Sequence, residues 1–281
     1  MKKTLLTICL VWMCFSLSAQ KIIDLSGKWS FSIDRQDNGE KEKWFSHTLN
    51  DCINLPGSMP EKLKGDEVTA KTQWTGSLYD SSYYYNPYME KYRKEGNIKF
   101  PFFLTPDKHY VGAAWYQKEV NIPADWKGER ILLFLERPHI ETTVWVNGQK
   151  TGMQNSLCVP HQYDITHYVR PGKCTITIRV DNRIKEINVG PDSHSITDQT
   201  QGNWNGIVGR ICLQTTPKTY FDDIQIYPEP EQKLARVKVV IKGTGTAKVK
   251  LSAESFNTDK KHIVPAIQQE IKLNKGVTET E

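Results

Sequence analysis

The sequence predicts an all-β protein built around a two-layer antiparallel sandwich, and three observations carry that prediction. Between Trp115 and Thr166 apolar runs alternate with turn signals: Ile131 to Leu135, then Val144-Trp145-Val146, then Asn147-Gly148. Asn-Gly supplies the positive φ values that a two-residue primed hairpin demands. Short runs of period two recur from Ile22 to about Thr219, punctuated by Gly and Pro, as expected of half-buried strands. Stretches with a 3.6-residue period are nearly absent.

Residues 1–19 precede the fold. Lys2 and Lys3 form a basic start, Leu5 to Phe15 an apolar core and Ser16-Leu17-Ser18-Ala19 a small-residue exit, the make-up of a secretory signal cleaved after Ala19. The apolar run is short for a bilayer span, so an uncleaved anchor is the competing reading. Cys14 raises a lipoprotein, but Val11-Trp12-Met13 ahead of it lacks small residues. A secreted or periplasmic location, without membrane attachment after cleavage, is the expectation. The fold then opens with alternating Leu25, Trp29, Phe31 and Ile33, where an inward Trp29 is most simply core. Asn54-Leu55-Pro56-Gly57-Ser58 reads as a breaker. A strand ending at Ile122-Pro123 leads into a turn at Trp126-Lys127-Gly128 and then the hairpin. After Gly172, Ile176, Ile178 and Val180 face one way and the Thr and Arg residues the other. Residues 221–281 suggest about four more strands: Tyr220 to Tyr227, Ala235 to Ile241, Ala247 to Ala253 and Ile263 to Leu273. The expected division is 20–220 for the main sandwich and 221–281 for a smaller β unit.

Charge and cysteine content exclude several classes. The formal charge of +5 falls to +3 without Lys2 and Lys3, an ordinary balance. Lysines in RVKVVIK and AKVKL alternate with valines, which marks the outer face of a strand and argues against a nucleic-acid partner. Cys52, Cys158, Cys174 and Cys212 allow three pairings in an oxidising compartment; the favoured reading makes each a small buried hydrophobe in its own strand. No His pairs with another His or Cys at ligand spacing, so neither a metal nor another cofactor is expected.

Two irregular stretches are the candidate functional regions. Residues 70–110 hold Trp74, Tyr79, Tyr83, Tyr84, Tyr85, Tyr88, Tyr92, Phe100, Phe102 and Phe103 without a clean period. Such rings either form a wall for the apolar faces of sugars, or fold over one another as a local cluster or contact a neighbouring domain. The second stretch, Ser193 to Leu213, begins almost entirely with hydrogen-bonding side chains: Asp198, Gln199, Thr200, Gln201, Asn203 and Asn205, with Trp204 among them. Pyranose hydroxyls donate and accept at once, so carboxylates and amides orient them while an indole covers the ring. The plainer alternative is a solvated polar loop.

In order, LSGKWSF, LPGSM, Trp115-Tyr116, Trp126 with Gly128, Val146-Asn147-Gly148, Gly152, Asp164-Ile165-Thr166, Val180-Asp181-Asn182 and GNWNGIVGRICL cover most of residues 24–230. This series resembles the sugar-binding domain at the front of glycoside hydrolase family 2, the β-galactosidase and β-glucuronidase family. The resemblance implies a jelly-roll, galactose-binding-like sandwich, followed by an immunoglobulin-like domain and a (β/α)₈ barrel that carries both catalytic glutamates. It also implies that loops of the sandwich overlook the active site, with Asp198, Gln199, Gln201, Asn203, Trp204 and Asn205 in one of them. Asn97 is similar to an Asn that contacts sugar in some members, and is equally readable as a turn residue.

About four strands fall short of the roughly seven of a complete immunoglobulin-like sandwich, so that unit is expected to be incomplete, leaving Val237, Val239 and Ile241 partly uncovered. The barrel is then a missing partner and no catalytic residue is assigned. Hydrolysis requires two carboxyl groups about 5–9.5 Å apart across the bond. The sequence places no two of Glu136, Glu141, Asp181 and Asp198 at that separation; hairpin-flank solubility accounts for the first two and a turn bond for Asp181. The expected function is the carbohydrate-binding portion of an exported family 2 glycosidase, inactive alone. A stand-alone carbohydrate-binding module is the alternative.

Overall fold

The computed structural model describes residues 20–76, 81–101, 103–185, 193–194, 196–254 and 259–280. The signal segment expected at 1–19, together with Tyr79 and Phe102, lies outside the described residues. The strands are β1 (Ile22–Asp24), β2 (Gly27–Asp34), β3 (Asp51–Leu55), β4 (Gly57–Ser58), β5 (Asp66–Glu67), β6 (Lys108–His109), β7 (Ala113–Ile122), β8 (Arg130–Pro138), β9 (Glu141–Val146), β10 (Gln149–Asn155), β11 (His161–Asp164), β12 (Gly172–Asp181), β13 (Gly206–Thr216), β14 (Tyr220–Glu229), β15 (Leu234–Glu254) and β16 (Ile263–Thr280). Among the described residues, helix is confined to one α turn, Ser82–Tyr85, and short 3-10 segments.

Two antiparallel sheets make the sandwich. One is ordered β1-β13-β8-β11 with β4 against β13; the other is ordered β10-β9-β12-β7-β2-β3. From β7 to β9 and again from β11 to β13 the chain alternates between sheets, so each crossing at a sandwich end lays a loop over that end. The predicted breaker is one such crossing. Leu55 still pairs with Gly27 in the six-stranded sheet, whereas Gly57 already pairs with Ile207 in the other. At that corner Gly206 (φ +147°) comes so close to Gly57 that an added Cβ would stand 2.5 Å from the Gly57 carbonyl oxygen.

The alternation read from the sequence is the core. Trp29, Phe31, Tyr116, Val144, Val146, Ile176, Ile178 and Val180 point from one sheet to meet Leu133, Leu135, Ile207, Ile211 and Leu213 from the other. The hairpin is as predicted: Val146 pairs with Gln149, and Asn147 and Gly148 have φ of 51° and 78°. The opposite face of β12 differs from expectation. Thr177 and Arg179 are buried, because Leu49, with the half-buried Trp44 and Phe45, covers that face against Trp115 and Trp145.

The described residues beyond 219 form a three-stranded sheet, β14-β15-β16, instead of about four strands. The two strands expected on either side of Gly243 are one 21-residue strand, β15, whose register slips between Gly243 and Gly245 where a turn was anticipated. Val239 and Ile241 are therefore covered, packing with Ile271 and Leu273, and Val237 is half-buried beside them. The uncovered apolar residues are others, including Ile224, Ile226, Leu251 and Ile267. The cysteines also divide: Cys174 and Cys212 are buried as expected, while Cys52 and Cys158 are exposed, and all four are unpaired. Burial raises the Cys174 thiol to about 11.

Candidate functional site

At the end of the sandwich where β13 begins, a cleft of about 750 Å³ opens between residues 98–107 and residues 201–204, with Ser58 and Pro60 at its side. Its two loops are tied together from behind. Leu104 N donates to the Asp198 carbonyl at 3.0 Å, and Asp198 N donates to the Thr75 carbonyl at 3.0 Å. The strand edges beneath are pinned by Met59 N to the Asn205 carbonyl, 2.7 Å, and His139 N to the Gly206 carbonyl, 3.2 Å.

The aromatic-rich stretch resolves into the local cluster. Trp74 stacks on Phe103 (5.3 Å between centroids) and meets Phe100 edge-on, Phe100 stacks on Tyr83, and Trp74 also contacts His109. Phe100 and Phe103 are both part of this cluster and part of the cleft wall. Tyr84 is exposed and meets Tyr83 edge-on, while Tyr85 and Tyr88 stand exposed as well. Trp204 completes the wall from the other loop, and its indole meets the His139 ring at a tilt of 33°, 4.6 Å between centroids. Burial lowers the His139 imidazole to about 4, so it backs the indole as a neutral ring at physiological pH.

The predicted site residues separate into four settings. Gln201 and Trp204 line the cleft with side chains open to it, Gln201 exposed and Trp204 half-buried. Asp198, Asn203 and Asn205 are buried and hold the site together from within. The Asp198 carboxylate accepts from Thr75 N at 2.6 Å and from Asn203 N. Asn203 donates to Thr75 Oγ1 and the Asn182 carbonyl and accepts from Asn182 Nδ2. Asn205 accepts from the Tyr116 hydroxyl at 2.8 Å and donates to the Gly112 and Val180 carbonyls, both at 2.9 Å. Gln199 is half-buried beside Asp198, its Oε1 without a hydrogen-bond partner. Asn97 lies apart from the others: it is exposed, and its Nδ2 braces its own loop on the Lys91 carbonyl at 2.8 Å. Its neighbours Ile98, Lys99, Phe100 and Pro101 reach the cleft in its place. Sequence reasoning missed Asp107, Thr105 and His139, and it quoted Asn182 only as part of a motif. The sequence of 98–107 carries no periodic signal that singles out the first two.

The acidic residues need a correction. Glu141 and Asp181 are directly opposed on β9 and β12 and share Lys185, whose Nζ lies 2.9 Å from Glu141 Oε1 and 2.8 Å from Asp181 Oδ2. The fold thus brings together two carboxyl groups that the sequence left apart. Both are buried away from the cleft and held by cations: Arg179 contacts Glu141, Asp181 and Asp37, and Arg183 contacts Asp181 and Asp37. Burial alone would raise the Asp181 carboxyl, but hydrogen bonds from Arg183 and Lys185 and the Arg179 charge outweigh it and hold the group far below the usual carboxylate range. A carboxyl so fixed as an anion cannot serve as a proton donor near neutral pH. Glu136 is likewise a brace, accepting from Arg210 N at 2.9 Å across the β13 bulge. Asp107 is the one acid among the described cleft-lining residues.

The fold and the site define a β-sandwich domain with a loop-built cleft at one end. Residues 22–217 match the family described as glycosyl hydrolases family 2, sugar binding domain, and the chain belongs to that family through this domain. It is 24% identical over 266 residues to human β-glucuronidase, a match covering 85% of this chain and 35% of that protein. It is 24% identical over 222 residues to Paenibacillus borealis β-glucuronidase, covering 74% and 31%. The chain thus spans about a third of the length of these relatives. In fold it is similar to Ruminococcus gnavus β-glucuronidase, with a TM-score of 0.54 at 18% identity over 92% of this chain and 38% of that one. A β-glucuronidase from an uncultured Clostridium is similar at 0.53, 17%, 90% and 39%.

Proposed function

We propose that this chain supplies the carbohydrate-recognition portion of an exported, β-glucuronidase-like glycosidase, and that the cleft between residues 98–107 and 201–204 receives part of a glycoside. The observation that carries the reading is the pairing of a family 2 sugar-binding sandwich with a cleft walled by Trp204, Phe103 and Gln201. Export is supported by the sequence of residues 1–19. The described residues bind without cleaving: Asp107 stands in the cleft without a second carboxyl, and the opposed pair Glu141 and Asp181 is neutralised elsewhere. A barrel domain with the catalytic glutamates is the proposed partner in hydrolysis.

Isothermal titration of residues 20–281 against galactosides, glucuronides and rhamnosides, together with turnover of the nitrophenyl glycosides, tests this. Binding of one sugar class with no turnover is the expected result. Turnover that disappears when Asp107 or Glu141 is replaced refutes it. Micromolar affinity would favour a self-sufficient binding module over a rim contributor, since a half-site cannot enclose its ligand.

A further inference from the structure

A hydroxyl-rich sugar ring needs donors and acceptors that are free to meet it, and the cleft has few. The Asn203 amide is taken up by Thr75 and Asn182, and the Thr105 hydroxyl by the Phe100 backbone. The Ser58 hydroxyl accepts from Glu61 N at 3.4 Å. Lys99, Asp107 and Gln201, all exposed, make no side-chain bond to other described residues. The walls are Trp204, Phe100, Phe103, Leu104, Ile98 and three prolines. They are also held in place, Phe103 by its stack on Trp74, Phe100 by its stack on Tyr83, and Trp204 by the neutral His139 ring. Fixed aromatic walls with occupied amides favour a flat apolar group, because such a group leaves no buried hydroxyl unpaired.

Resting on the carbohydrate reading above, we infer that the cleft takes the apolar, ring-bearing aglycone of a glycoside, and that the sugar is met at its mouth by the exposed Lys99, Asp107 and Gln201. The volume of about 750 Å³ accommodates an aryl group together with part of the sugar.

Saturation-transfer NMR on the full chain, with 4-nitrophenyl and methyl β-D-glucuronide and the corresponding galactosides, tests the inference. The nitrophenyl glycosides are expected to bind about tenfold more tightly than the methyl glycosides, with saturation strongest on the aryl protons. Trp204→Ala should remove most of that preference and Trp204→Phe should restore it; Gln201→Ala should weaken aryl glycoside binding less than Trp204→Ala does. Should Trp204→Ala fail to fold, the aryl-to-methyl ratio and the proton map of the unaltered chain decide alone. Equal binding of nitrophenyl and methyl glycosides, or saturation centred on the sugar protons, overturns the inference and leaves the carbohydrate reading standing. Absence of binding by every glycoside overturns both.

Discussion

At the scale of single residues, the amide-rich stretch does two different jobs that composition cannot separate. Asn205 faces inward, and its three hydrogen bonds join Tyr116, Gly112 and Val180. Asn205→Ala leaves those buried groups unpaired and is expected to cost about 3 kcal/mol, read as a shift in the urea midpoint. Asn205→Asp should be worse, since it sets a carboxylate against two carbonyl oxygens. Composition announced Asp198 to Asn205 as polar, and the family resemblance placed them near a site. Which of them point into the cleft depends on where the loop meets Thr75 and Leu104, contacts far apart in sequence. Of the residues singled out in the sequence, Gln201 and Trp204 are the ones that present accessible side chains to the cleft. His139 carries a separate consequence. Because burial depresses its pKa from 6.5 to about 4, it stabilises the fold fully above pH 6.5, and this contribution is lost as pH falls toward 4. The loss amounts to roughly 3 kcal/mol. The stability difference between the unaltered chain and His139→Gln should therefore narrow over that interval, as followed by urea unfolding at several pH values.

At the scale of elements, local signals gave the strands and turns, while long-range contacts set their surroundings. Asn147-Gly148 fixes its hairpin through backbone preference alone, and the period-two runs of β2 and β12 identify the inward face. The cover over the outer face escaped that reading, because Leu49, Trp44 and Phe45 lie in a segment without strand periodicity. Likewise Gly243 and Gly245 signal a break, but glycine serves a register slip within β15 as readily as a turn. The corner between β4 and β13 offers a sharp test. Gly206→Ala places a Cβ 2.5 Å from the Gly57 carbonyl oxygen at a φ of +147°, so a loss of about 3 kcal/mol or more is expected in thermal unfolding. A neutral substitution would show that the two strands do not approach so closely. On the covered face, Arg179 balances Asp37, Glu141 and Asp181. Arg179→Met should cost on the order of 3 kcal/mol at neutral pH, as removal of one member of a buried ion network does. The Asp181 carboxyl is depressed, so the network's contribution is present above about pH 4, the unfolded value, and fades below it. The gap between the two proteins should close in acid.

For the molecule as a whole, the proposed function asks the sandwich for recognition and not for bond cleavage. Its acids are used as braces: Asp198 between loops, Glu136 across a bulge, and Glu141 and Asp181 within a cation network. Its aromatic rings are used as walls, fixed from behind by other rings and opening at one end of the fold. That division fits the proposed role, in which the sandwich orients a glycoside and a barrel domain is the partner in hydrolysis. One experiment addresses the division directly: 4-nitrophenyl β-D-glucuronide is incubated with residues 20–281, with binding followed by saturation transfer and nitrophenolate release followed by absorbance in the same sample. The account requires binding that weakens in Trp204→Ala and no release above the protein-free rate. Release that is abolished by Asp107→Asn or Glu141→Gln, or binding indifferent to Trp204, would contradict it.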